Sequence, residues 1–81
     1  MDEAKFFEVL EDLFELEPGE VNGETPLQQV PGWDSLTFLG LIARVDEEFG
    51  VTLAPEAVLA CATLADLQAL IETKANKMRA A

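Results

Sequence analysis

Between Glu3 and Leu16 the apolar residues return at helical spacing. Phe6, Phe7, Val9, Leu10, Leu13 and Phe14 fall on one side at about 100° per residue, and Glu8, Glu11, Asp12 and Glu15 fall opposite. This predicts an amphipathic helix with an acidic outer face. Residues 17 to 34 then hold Pro18, Gly19, Gly23, Pro26, Pro31 and Gly32, too many breakers for the helix to continue. Leu27, Val30 and Trp33 are the apolar side chains available to anchor that long loop. A second helix is expected from Asp34 or Ser35 to Phe49, ended by Gly50 in the left-handed conformation. Ala54-Pro55-Glu56 reads as the start of a short third helix, with proline near its first position and an acid in its first turn. The last helix has Thr63 as N-cap and Asp66 in the place of a capping-box acid, and Leu64, Leu67, Ile71 and Ala75 share a face. Lys74, Lys77 and Arg79 suit the negative end of its dipole. With few β-branched residues and no alternating runs, the expected fold class is all-α: a four-helix bundle of three main helices and one short one, with a long first loop.

The same period orients the second helix. Phe38, Leu41, Ile42, Val45 and Phe49 cluster within an arc of roughly 100° and form the expected buried stripe. Leu36 lies about 160° from the centre of that stripe, grouped with Gly40, Ala43 and Glu47. A leucine beside Ser35 therefore faces solvent, next to small residues and a helix N-terminus, and the group makes a shallow docking surface for a partner.

Composition bounds the rest. The 81 residues suffice for one domain, 1–81, and the apolar fraction of 49% is too high for a disordered chain. No apolar run approaches the roughly 18 residues of a membrane span, and the acidic start lacks the basic charge of a secretory or transit signal. The expectation is a folded cytoplasmic monomer without membrane insertion. Net charge is −11, and the excess lies wholly in residues 1–50, where 13 acids face only Lys5 and Arg44. That field repels nucleic acid and steers the chain toward partners with basic patches. Cys61 is the single cysteine and there is no histidine, which excludes an intrachain disulfide, a Cys/His metal site and histidine-activated nucleophilic catalysis. A calcium loop at Asp46-Glu47-Glu48-Phe49-Gly50 fails on the position of its glycine and on the missing alternate ligands.

Ser35 could then cap a helix, attack a substrate or carry an attached group. Asp34 is the better cap, because its carboxylate can accept from the following N–H groups. A phosphate esterified to Ser35 would sit where first-turn N–H groups and the helix dipole favour negative charge.

The segment GWDSLTFLGLIARVDEEFGVTL resembles the central part of acyl carrier proteins, whose hallmark is D-S-L or D-S-M at the start of the second helix. The order and lengths of the expected elements extend the resemblance over nearly the whole chain. It implies a carrier rather than an enzyme. Ser35 would receive 4′-phosphopantetheine from coenzyme A through a phosphopantetheinyl transferase, with Asp34 as the flanking motif acid. Acyl groups would be held as thioesters on the arm and presented to acyl-loading and acyl-processing enzymes of fatty acid, polyketide or other specialised biosynthesis. Leu36, Gly40, Ala43, Arg44 and Glu47 become candidates for partner contact. Phe38, Leu41, Val58, Leu59 and Cys61 are candidates to line an acyl cleft between the second and third helices, or are ordinary core. Carriers of primary fatty acid synthesis usually place acids where this chain has Thr37, Gly40, Arg44 and the apolar PEAVLACAT segment. The resemblance therefore points to a specialised pathway. A peptidyl or aminoacyl carrier and a cofactor-free helical interaction module are the alternatives; peptidyl carriers usually have glycine and histidine before the serine, where this chain has Trp33 and Asp34.

Overall fold

A computed structural model describes residues 3–79, with side chains described through Ala75. Four helices follow in order, α1 (Glu3–Phe14), α2 (Ser35–Phe49), α3 (Pro55–Leu59) and α4 (Leu64–Arg79), with a 3-10 turn at Leu27–Gln29 in the first loop. No strand occurs among the described residues, so the chain is all-α as its periodicity predicts. The side chains of Lys77 and Arg79, expected at the end of α4, lie outside the described residues.

Helix α1 stops two residues before the predicted Leu16. Glu15 takes the left-handed conformation at φ 56°, and the Leu16 N–H returns to the Glu11 carbonyl at 2.8 Å. That is the hydrogen bond of a Schellman termination, made here without a glycine. Phe6, Val9, Leu10 and Phe14 are buried, while Phe7 and Leu13 pack at the margin of the core.

The long loop is part of the core. Val21, Leu27 and Val30 are buried, and Trp33 stacks on Phe14 with ring centroids 6.0 Å apart and planes 16° off parallel. The backbone is strapped to α4 as well: the N–H groups of Leu64 and Ala65 donate to the carbonyls of Thr25 (3.0 Å) and Gly23 (2.9 Å), and the Leu27 N–H donates to Ala62 (3.0 Å). Two donors at the start of α4, which has no earlier helical carbonyls to use, are thereby satisfied by the loop. Thr63 and Asp66 form the expected reciprocal cap, the Asp66 N–H donating to Thr63 Oγ1 at 3.3 Å and the Thr63 N–H to Asp66 Oδ2 at 3.2 Å.

Leu41 and Val45 of α2, Val51 and Leu53 after it, Val58 of α3, and Leu64, Leu67 and Ile71 of α4 complete one contiguous core. Among the described residues it contains no buried polar or charged side chain. Each large side chain there contributes about 1.5–3 kcal/mol by leaving water. The bundle therefore holds the start of α2 in place from two directions, through Trp33 on the loop side and the Leu41–Val45 stripe on the helix side.

Candidate functional site

The site begins at Gly32, whose φ of 87° turns the chain into Trp33. Trp33 is half-buried between Phe14 and Phe38, its ring centroid 5.7 Å from that of Phe38, and its backbone N–H donates to the Val30 carbonyl at 3.0 Å. Asp34 follows in an extended conformation as the N-cap of α2. Its Oδ1 accepts from the Thr37 N–H at 2.8 Å, and its own N–H donates to Thr37 Oγ1 at 2.9 Å. These two bonds form a capping box with threonine in the position usually held by Glu or Gln. The Thr37 amide, aided by the Thr37 side chain, holds the Asp34 carboxyl below the ordinary aspartate value, so it is ionised at neutral pH.

Ser35 is the first residue of α2 and is exposed. Its hydroxyl projects from a first turn whose N–H groups and dipole favour an anion, next to a backbone fixed on both sides. An esterified phosphate fits this position without displacing a buried group. Leu36 beside it is 78% exposed, Ala43 and Glu47 are exposed, and Gly50 ends the helix at φ 68°.

Two residues grouped with Leu36 from the sequence sit elsewhere. Gly40 is half-buried, and a Cβ placed on it would stand 3.4 Å from Leu13 Cδ1 of α1. It is a helix-packing position rather than open surface. Arg44 donates to Asp12 of α1 at 2.9 Å and lies 3.9 Å from Glu48, so its charge is turned toward α1. The suspected acyl-cleft residues also divide. Leu41 and Val58 are fully buried, Phe38 and Cys61 pack against the core, and Leu59 is 49% exposed and belongs to the surface. Cys61 donates weakly to the Ala57 carbonyl at 3.4 Å, and burial, with the nearby Asp66 charge, pushes its thiol pKa up, which suits packing and not nucleophilic chemistry. An open groove of about 370 Å³ lies between α1 and α2, lined by Lys5, Glu8, Val9, Asp12, Arg44 and Glu48, and none of the five suspected cleft residues borders it.

The sequence reading missed Thr37 as a capping partner and Leu39 as surface. Leu39 is 59% exposed and lies about 60° from Leu36 around the helix, so the period that exposed one leucine also exposes the other.

An all-α bundle that presents an exposed serine at a capped helix start, with exposed leucines beside it, has the form of a carrier domain. The family model for the phosphopantetheine attachment site matches residues 4–71. The acyl carrier protein MbtL of Mycolicibacterium paratuberculosis is 34% identical over 76 residues, covering 94% of this chain and 85% of that protein. The acyl carrier protein MbtL of Mycobacterium sp. (strain MCS) is 35% identical over 71 residues, covering 88% and 80%. The chain belongs to the acyl carrier protein family, whose members hold 4′-phosphopantetheine and act as carriers, not catalysts. No helix among the described residues is long and apolar enough to cross a membrane.

Proposed function

We propose that Ser35 is the attachment point of the 4′-phosphopantetheine arm, and that the protein presents acyl groups, held as thioesters on that arm, to enzymes of a specialised biosynthetic pathway. The observation that carries the reading is the exposed Ser35 at the start of α2, held by the Asp34 cap, within the segment that matches the attachment-site family. Asp34 keeps the helix start formed and contributes charge next to the phosphodiester. The acidic half of the molecule attracts enzymes with basic docking patches, the phosphopantetheinyl transferase first among them.

Specialisation is supported by the chemistry of α2 and α3. The first half of the exposed α2 face is apolar, with Leu36, Leu39 and Ala43, and acids follow only at Asp46 and Glu47. Helix α3 adds the half-exposed Leu59 to the apolar surface, with Glu56 as its single acid.

Intact mass spectrometry tests the attachment. Incubation with coenzyme A and a competent transferase should add one phosphopantetheinyl group to the wild type and nothing to Ser35→Ala. A wild type that stays unmodified with several competent transferases removes the proposal. Release and identification of the thioester from protein isolated in its native host then assigns the cargo as acyl, aminoacyl or peptidyl.

A further inference from the structure

We propose that Thr37 is a positioning residue for the modification of Ser35, acting through a hydroxyl clasp that closes the loop onto the helix start; this rests on Ser35 being the attachment residue. The Thr37 hydroxyl accepts from the Asp34 N–H at 2.9 Å and stands 2.9 Å from the Gly32 carbonyl, to which it donates. The Asp34 carbonyl and Oδ1 lie farther, each at 3.1 Å, and the carbonyl already takes the Phe38 N–H at 2.9 Å. One side chain thus ties together the turn residue three positions before Ser35, the residue immediately before it and the first helical turn after it. Gly32 sits at φ 87°, which glycine adopts readily among many alternatives, so holding its carbonyl removes freedom that this residue would otherwise keep.

A cap for α2 needs only the reciprocal bonds between Asp34 and Thr37. The link to Gly32 is additional, and it acts on the loop rather than on the helix. It leaves Ser35 exposed while fixing the backbone on both sides of it, and so fixes the Cα–Cβ bond about which its hydroxyl turns. The transfer makes the direction of that bond matter. Ser35 Oγ attacks the phosphorus of coenzyme A that bears pantetheine. An Oγ–P bond forms and the pyrophosphate P–O bond breaks. Adenosine 3′,5′-bisphosphate leaves, and the hydroxyl proton passes to a base of the transferase. In-line attack tolerates little error in the nucleophile's direction, and misplacement by about 1 Å can cost up to a hundredfold in rate.

The test is steady-state phosphopantetheinylation of the full chain, with coenzyme A and one transferase, below the unfolding transition of every variant. Thr37→Val, which keeps the shape and loses the hydroxyl, should lower kcat about tenfold or more with KM changed less than about twofold, because the exposed leucines used for docking are untouched. Thr37→Ser, which keeps the hydroxyl, should return kcat to within about twofold of wild type. Thr37→Glu guards against a folding defect: its carboxylate can accept the Asp34 N–H as a capping-box acid but has no proton for Gly32, so it should melt like wild type and remain slow at both low and high salt. Wild-type kcat in Thr37→Val or in Thr37→Glu overturns the proposal, as does failure of Thr37→Ser to recover the rate. Absence of modification in the wild type, or its persistence in Ser35→Ala, overturns the attachment reading instead.

Discussion

The Arg44 guanidinium on α2 donates to the Asp12 carboxylate on α1 at 2.9 Å, and Glu48, one turn further along α2, approaches it to 3.9 Å. Lys5 of α1 stands 3.6 Å from the same Glu48. The only cation of α2 is therefore neutralised on the α1 side of the helix, away from Leu36 and Leu39. Arg44 looks from the sequence like a basic intrusion on a partner-facing surface; in the fold it ties two helices together. The Asp12 side chain is 71% exposed and that of Arg44 29%, so water screens the pair from one side and the effect on stability is small. Arg44→Ala should lower the unfolding free energy by about 0.5 kcal/mol in low salt, and the difference should fade toward zero in about 1 M sodium chloride. Urea denaturation at the two salt concentrations checks this, and a loss unaffected by salt would show that Arg44 acts through packing.

Gly40 gives the opposite sign. It lies within α2 at an ordinary helical φ, and an added methyl would meet Leu13 Cδ1, the end of a flexible side chain, at 3.4 Å. Helix-interior glycine costs roughly 0.5–1 kcal/mol relative to alanine, and the contact is close to normal van der Waals distance. Gly40→Ala should therefore stabilise the bundle and raise Tm by about 3–6 °C. A lowered Tm in a thermal melt would mean that α1 cannot yield at Leu13 and that this position requires glycine for helix approach.

What the sequence could disclose here depended on how many residues report on each feature. Five apolar positions fixed the orientation of α2, so the outward aspect of Leu36 was readable from the period alone. Gly40 has no side chain to register a preference, and periodicity gives an angle around a helix without saying which neighbour covers it. Helix α3 is five residues long, too short for a period, so the burial of Val58 and the exposure of Leu59 were open until the fold was known. Val21 is buried in a loop with no repeat to reveal it. Glu15 ends α1 in a conformation that glycine usually signals, which is why the helix reads two residues too long. The Thr37 clasp escaped for a similar reason: a capping box is recognised by Glu or Gln at its third position, and threonine gives no such sign.

Asp34 sets a pH dependence. Its carboxyl is held below the usual aspartate range chiefly by the Thr37 N–H, then by the Thr37 side chain, with desolvation working weakly against them. A depressed native pKa means that the charged cap contributes fully above the unfolded value of about 3.9, and the contribution disappears as pH falls through the native value. Asparagine at this position still offers an acceptor but carries no charge. The stability difference between wild type and Asp34→Asn should be constant above about pH 5 and shrink progressively below about pH 4. Urea denaturation of both proteins from about pH 6 to about pH 2 measures it; a difference that stays flat across that range would show that the ionised form of the cap is not favoured by folding.

Leu36 and Leu39, 78% and 59% exposed, stand about 60° apart on the face of α2 that begins beside Ser35, with Ala43 a turn further and Asp46 and Glu47 beyond it. Truncating either leucine removes little buried area, so Leu36→Ala and Leu39→Ala should each stay within about 0.5 kcal/mol of wild type in unfolding free energy. The same truncations should act strongly on partners, because an apolar side chain that becomes enclosed at the centre of an interface commonly contributes more than about 1 kcal/mol to binding. With the holo protein as substrate of its loading enzyme, each variant should raise KM about five- to tenfold while leaving kcat within about twofold, since neither residue touches the reacting thiol. Glu47→Gln, at the acidic end of the face, should instead slow association at low salt and lose its effect as ionic strength rises. If all three variants load with the KM of wild type, the partner approaches Ser35 from another side, and the exposed leucines have a different use.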